Sequence, residues 1–305
     1  MKILAGPDLH VTQNKPVNRL DEDYIETIRG KLHFLFDTAR AKNCEIIALP
    51  GDLFDSARAN NFLKALLGGM IVEYGFQGDV FVTYGQHDMR YHSTIVENTP
   101  LRVLDATGVV EILTDKPIVS HKAVFYGASF GEDIPKIKDL KDFNILVTHR
   151  MIIEEKLWKA QEEFDRSHTL LRKTGFDLII SGDNHTSFIS QDKDKTLINC
   201  GSLMRSTIAQ KDHKPCVVVY DTETREHEQI FIPIEDFDEV MDTDRALLLE
   251  EKDGRIHTFI SNLQDTNISG LRYKQNVSEY TTENKDHIRT GAMKLVGEFV
   301  RRHDG

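Results

Sequence analysis

Residues 46–55 read Ile46-Ile47-Ala48-Leu49-Pro50-Gly51-Asp52-Leu53-Phe54-Asp55, a short apolar run that stops at a proline, a glycine and a carboxylate. The same event recurs along the chain. It is found at Ile3-Leu4-Ala5-Gly6-Pro7-Asp8-Leu9-His10, at Val80-Phe81-Val82-Thr83-Tyr84-Gly85-Gln86-His87-Asp88, at Ile145-Leu146-Val147-Thr148-His149 and at Leu178-Ile179-Ile180-Ser181-Gly182-Asp183-Asn184-His185. Apolar runs of this length read as buried strands. Open α/β sheets gather ligands at the carboxyl ends of their strands, so such ends can converge on one point rich in carboxylate and imidazole. Taken singly, a Gly-Asp after a strand is an ordinary turn and a lone histidine is solvated or satisfied in the core. The repetition, with glycines that let the backbone turn under a ligand, carries the reading.

Working outward, helix-period stretches separate the early runs. Ile25, Ile28, Leu32, Leu35, Phe36 and Ala39 fall on one face within residues 21–42, behind the acidic start Asp21-Glu22-Asp23. A second helix is expected around Phe62 and Leu66, before Gly75. Residues 109–127 and 187–232 favour strands and turns, which suggests a second sheet packed on the first. The fold class expected is α/β, a two-layer β-sandwich flanked by helices. After Pro233 the composition changes: residues 235–254 hold nine carboxylates against Arg245 and Lys252. The expected division is therefore 1–233 for the catalytic domain and 234–305 for a small C-terminal α+β region that caps the site or binds DNA or a partner. Its last segment places Ile288, Ala292, Leu295, Val296, Phe299 and Val300 at helical spacing.

The 305 residues are 40% hydrophobic and 29% charged, which excludes collagen-like and disordered classes. No apolar run is long enough to span a bilayer, and no secretory apolar region follows Met1. Cys44, Cys200 and Cys216 are widely spaced and read as buried free thiols, so a cytoplasmic setting is expected. The net charge of −11 excludes no partner, because much of it sits in the acidic stretch and several other carboxylates are candidate metal ligands.

The ligand types constrain the metal. There is no Cys-x-x-Cys pair for a thiolate site. Carboxylates, imidazoles and an amide oxygen suit Mn²⁺ or Mg²⁺, with Fe²⁺ or Zn²⁺ also compatible. Ligands suffice for two ions at roughly 3.5 to 4 Å sharing a carboxylate, the arrangement that hydrolyses phosphate esters.

At these residues the sequence resembles the calcineurin-like metallophosphoesterases. Their motifs stand here as Asp8-Leu9-His10, Gly51-Asp52-Leu53-Phe54-Asp55, Gly85-Gln86-His87-Asp88, His149 and Gly182-Asp183-Asn184-His185. The finer likeness is to the nuclease subunits of double-strand-break repair and recombination complexes, the SbcD type, phage versions included. Asn199-Cys200-Gly201-Ser202-Leu203, followed by Arg205, resembles the turn those nucleases carry after the last metal motif. The resemblance implies that Asp8, His10, Asp52 and His185 hold one metal, with Asp52 bridging to a second held by Gln86, His149 and Asp183. It implies a pair of divalent ions, most readily Mn²⁺, and a catalytic His87 over the scissile phosphate with Asp88 as its charge partner. It further implies DNA as substrate, a homodimer, an SbcC-like coiled-coil ATPase partner and no membrane association.

Two positions depart from the family pattern. Gln86 stands for the usual Asn, and its longer side chain still offers an amide oxygen. Asp183 stands for a histidine and moves the second site toward harder cations. Asp55 is expected to cap the next helix or to buttress His10. Arg58, Arg90, Arg150, Ser202 and Arg205 are candidate contacts to a phosphate backbone. Of the thirteen histidines, the nine outside the motifs read as structural or solvated, His92 lying nearest to a motif. Competing functions are a phosphatase or phosphodiesterase on small phosphoesters, nucleotides or phosphoproteins, and a scaffold whose metal site has decayed.

Overall fold

The first sheet is built on four short parallel strands: β1 (Lys2–Ala5), β2 (Ile46–Leu49), β3 (Val80–Val82) and β4 (Glu111–Ile112). β2 is buried over its whole length, as a strand covered on both faces must be. The second sheet comprises β5 (Ile118–Ser120), β6 (Ala123–Ala128), β7 (Phe143–His149), β10 (Leu178–Gly182), β11 (Phe188–Asp192) and β12 (Lys195–Asn199), in the order β11-β12-β10-β7-β6-β5. A small ribbon pairs β8 (Ile152–Ile153) with β9 (Asp165–Arg166). These assignments come from a computed structural model that describes residues 1–90, 96–137, 142–154, 164–245 and 247–248.

Side-chain alternation separates the layers. Ile3, Ala5, Ile46, Ala48 and Phe81 meet Phe125, Ile145, Val147, Leu178 and Ile180 of the other sheet in one core. Phe81 and Phe125 cross edge to face, with centroids 4.7 Å apart. The intervening residues point outward: Leu4, Ile47 and Leu49 toward α1 (Tyr24–Ala41) and α2 (Asn61–Glu73), Leu146 and Ile179 toward α4 (Ser167–Lys173). α3 (Pro100–Ala106) lies between β3 and β4 in sequence. The α1 stripe expected from periodicity is the buried one, with Ile28, Leu32, Leu35, Phe36 and Ala39 at 0% exposure. Asp23 caps α1 through the Glu26 amide and Asn60 caps α2 through that of Leu63, each contributing about 1 kcal/mol. The helix-flanked β-sandwich matches the expected fold class.

Two placements differ from a simple reading of the strand order. β4 and the late hairpin of β13 (Cys216–Asp221) and β14 (His227–Phe231) belong to the first sheet, where β13 runs antiparallel to β1. Hydrophobic alternation fixes which face of a strand is buried, not which edge it joins.

The chain divides into two compact units, Met1–Ala246 and Leu247–Gly305. In the first unit the chain continues past Pro233 through α5 (Phe237–Val240), with Phe237, Val240 and Met241 buried and the Asp242 amide donating to the Asn18 carbonyl. The expected α+β character of the C-terminal region and its helical segment near residues 288–300 lie outside the described residues, as does His92. Among the described residues no helix is long and apolar enough to cross a membrane. Cys44, Cys200 and Cys216 are free and buried.

Candidate metal centre

In-register pairing sets Leu49 beside Val82 and Gly182 beside His149, so the loops after these strands leave each sheet at one level. Asp8, His10, Asp52, Gln86, His149, Asp183 and His185 are brought together there. Three of them sit in the left-handed backbone region: His10 at φ 45°, Asp52 at 46° and Asp183 at 79°. Non-glycine residues take such angles at a cost of about 1–3 kcal/mol each, and they concentrate at functional sites. Space is equally constrained. A Cβ on Gly85 would collide with Asp52 Oδ1, and one on Gly182 would collide with Asp8 Oδ1.

Four of these side chains share one pattern, in which one polar atom is tied down and another is buried without a hydrogen bond. Asp8 Oδ2 accepts from the Asp183 amide at 2.9 Å, and Oδ1 is buried without a partner. Asp52 Oδ1 accepts from the His87 amide at 2.8 Å, and Oδ2 is left without a hydrogen bond. Gln86 Nε2 donates to Asp183 Oδ1 at 3.1 Å, leaving Oε1. His149 Nδ1 donates to the Pro50 carbonyl at 2.8 Å, leaving Nε2. Each such buried, unsatisfied group costs about 1–3 kcal/mol, and a cation placed among them removes that cost. Asp52 Oδ2 lies 3.3 Å from His149 Nε2 and 3.7 Å from His10 Nε2, a position suited to a shared ligand. On the other side His10 Nε2 is 3.2 Å from His185 Nε2, which lies 3.8 Å from Asp8 Oδ2. The donor set is all carboxylate, imidazole and amide oxygen, and it fits hard or borderline divalent cations.

The protonation states describe a site that prefers positive charge. Burial raises the Asp8 carboxyl to about 7 against the opposing pull of His149. Burial acts against charge on His149, but Asp52 and Asp8 outweigh it and hold the imidazole up near 10. Burial likewise opposes ionisation of Asp52, yet His149, His10 and His87 bring it down to about 2. His185 is pushed down to about 4, first by burial and then by His10. The metal-free site therefore holds protons where a metal would bind.

His87 is half-exposed; its ring lies 4.8 Å from that of His10, and its Nδ1 donates to the Asp55 carbonyl at 3.0 Å. With Nδ1 carrying the proton of that bond, Nε2 is the ring's other nitrogen and does not share in it. Asp55 also sets Oδ1 3.5 Å from His10 Nδ1, so it buttresses His10, one of the two roles expected of it. Two supports escaped sequence reading: the Pro50 carbonyl that orients His149, and Asn199, whose Nδ2 donates to the carbonyls of Asn184 and Thr186 at 2.7 Å. A carbonyl has no residue-type signature, and an Asn at a strand end reads as a turn.

Other expected site residues sit elsewhere. Asp88 does not lie beside the His87 ring. It is buried beneath the loops, accepting from the amides of Leu53, Phe54 and Gly85 at 3.1–3.3 Å, because three converging N–H groups outcompete one imidazole. The Ser202 hydroxyl is buried between Met204 and Gln210. Arg150 pairs with Asp165 and donates to the Glu132 carbonyl, and Arg205 is buried over the Phe237 ring with Nη2 on the Glu235 carbonyl. Arg58 and Arg90 alone of this group are exposed beside His87, in a groove of about 380 Å³. A second groove, about 520 Å³, is lined by Phe130, His149, Arg150 and Asp183 among others.

The sequence profile of the calcineurin-like phosphoesterases matches residues 1–187, more than half of the chain, and the protein belongs to that family. Metal-dependent phosphoester hydrolysis is the chemistry of that family. No curated protein matches the chain in sequence. Among solved structures, one crystal structure is similar at 11% identity and a TM-score of 0.48, covering 76% of this chain and 99% of its own. An archaeal phosphodiesterase is similar at 16% identity and a TM-score of 0.41, with the same coverages.

Proposed function

We propose that this chain hydrolyses DNA phosphodiester bonds with two divalent ions, Mn²⁺ foremost, held by Asp8, His10, Asp52, Gln86, His149, Asp183 and His185. One observation supports a polymeric substrate over a small one. Two open grooves flank the site, one lined by Gln86 and the other by Asp183, and these two side chains are hydrogen-bonded at 3.1 Å. A small phosphoester is better retained by a closed cavity, whereas a strand can enter one groove and leave by the other. Arg58 and Arg90 set positive charge along one groove for the backbone.

When bound, the metals supply an activated water and neutralise charge on the phosphate. The chain's own residues do the rest. Asp55 and the Asp52–His87 amide contact hold His87 at the edge of the cluster, where Nε2 gives a proton to the departing oxygen. The reading carries with it a second copy of the chain and an SbcC-like ATPase as partners. End-labelled linear and single-stranded DNA, with an aryl phosphodiester alongside, tests it in Mn²⁺ or Mg²⁺. Metal-dependent DNA cleavage that His87→Ala abolishes is expected. Turnover of the aryl ester with DNA left intact would assign the site to small phosphodiesters.

A further inference from the structure

Outside the metal centre, three cations, Arg19, Lys31 and Arg205, line a cavity of about 410 Å³ between α1 and the segment that follows β14. Arg19 and Arg205 are only 5% and 4% exposed, and Lys31 reaches in from α1 with Nζ 3.2 Å from the Leu203 carbonyl. Arg19 is held by Asp21 through two bonds of 2.7 Å and donates Nη1 to the Arg205 carbonyl. Among the described residues neither Arg205 nor Lys31 forms an ion pair with a carboxylate; Glu235 acts on both through space, Asp236 on Arg205 and Asp21 on Lys31. The acidic residues on the lining, Glu26 and Glu235, are exposed at its rim, and Glu26 pairs with Arg29. Burial, and after it Arg19 and Arg205, lowers Lys31 to about 8, the behaviour of a cation short of a counter-ion. The remaining wall is apolar: Phe34, Ile232, Ile234 and Val240. Gly30 lies on this face of α1, where a Cβ would meet nothing within 4 Å, so packing does not explain a glycine that weakens the helix.

We infer that this cavity binds a phosphate group, with the Lys31 ammonium and the Arg205 guanidinium as its charge partners and the Phe34–Ile232 wall receiving the apolar part of the molecule that carries it. A phosphate supplies the missing counter-charge, and a guanidinium beside an ammonium is the pairing suited to its several oxygens. The phosphate has two sources of shared chemistry, a free nucleotide or a nucleic-acid backbone. The cavity adjoins the metal centre through one residue: Leu203 offers its carbonyl to Lys31 and its amide to the Asp8 carbonyl at 2.9 Å. The inference does not depend on catalysis.

The test is calorimetric titration of the metal-stripped full chain with inorganic pyrophosphate, 5′-dTMP and a short single-stranded oligonucleotide. Saturable binding of pyrophosphate is expected, weakened at least about tenfold by Lys31→Met and unchanged by Asp52→Asn, which disables only the metal centre. Tighter binding of dTMP than of the oligonucleotide assigns a free nucleotide, and the reverse assigns the backbone. Arg205 is buried, so Arg205→Gln is read only if its thermal melt matches wild type; Lys31→Met, whose side chain is part-buried with one backbone contact, carries the decision. Absence of pyrophosphate binding, or equal binding by wild type and Lys31→Met, overturns the inference. Loss of binding in Asp52→Asn also overturns it, by returning the anion to the metal centre.

Discussion

Asp52 Oδ2 lies 3.3 Å from His149 Nε2, at ion-pair distance but without hydrogen-bond alignment, and both atoms are completely buried. Each is pinned from behind, Asp52 by the His87 amide and His149 by the Pro50 carbonyl. Two side chains fixed so that these atoms face one another form a preorganised ligand pair.

Metal affinity is expected to rise with pH. His149 keeps its proton to about 10 in the metal-free protein, and Asp8 keeps its own to about 7. A cation must displace them, so affinity increases by up to about tenfold per pH unit for each proton released. Calorimetry of Mn²⁺ binding between pH 6.5 and 8.5, in buffers of differing ionisation heat, reads the protons directly; pH-independent affinity would contradict these protonation states.

Gly85→Ala forces the new methyl onto Asp52 Oδ1 and should cost about tenfold or more in metal affinity. Gly69→Ala is the control: it lies within α2 with open space at its Cβ, and should leave metal binding intact while stabilising the helix by up to about 1 kcal/mol. Equal metal binding by the two variants would show that the close approach at Gly85 is not needed.

Phe125→Ala opens a cavity between the sheets where Phe81 loses its edge-to-face partner, and should destabilise the fold by about 3–5 kcal/mol in urea titration. A loss under 1 kcal/mol would mean that the two sheets do not share this core.

Asp88→Ala strands the amides of Leu53, Phe54 and Gly85 inside the protein, and a large drop in melting temperature with weakened metal binding is expected. A variant that melts like wild type and loses only turnover would restore Asp88 as the partner of His87.

The parts of this protein that sequence reading reaches are those written in residue type and spacing. The apolar lead-ins at Ile3–Ala5 and Ile46–Leu49 mark the strands, and the polar residues beyond them mark the site, because strand ends must turn and only certain side chains bind cations. The α1 stripe reads correctly because a helix buries one face. What stays hidden depends on the fold's return path: β13 closing on β1, Asp88 turning under the loops instead of toward His87, and Arg150 and Arg205 spent on Asp165 and Phe237. A motif fixes where a residue stands in the chain, while its partner is set by whatever the fold brings beside it.

The most direct test of the account is the number of Mn²⁺ ions bound per chain by wild type, Asp52→Asn and His87→Ala, measured by elemental analysis after equilibrium dialysis. Two ions in wild type, weakened binding of both in Asp52→Asn and two retained in His87→Ala are predicted. Loss of a single ion in Asp52→Asn would contradict a shared carboxylate, and loss of metal in His87→Ala would contradict the role of His87 as the proton donor at the edge of the cluster.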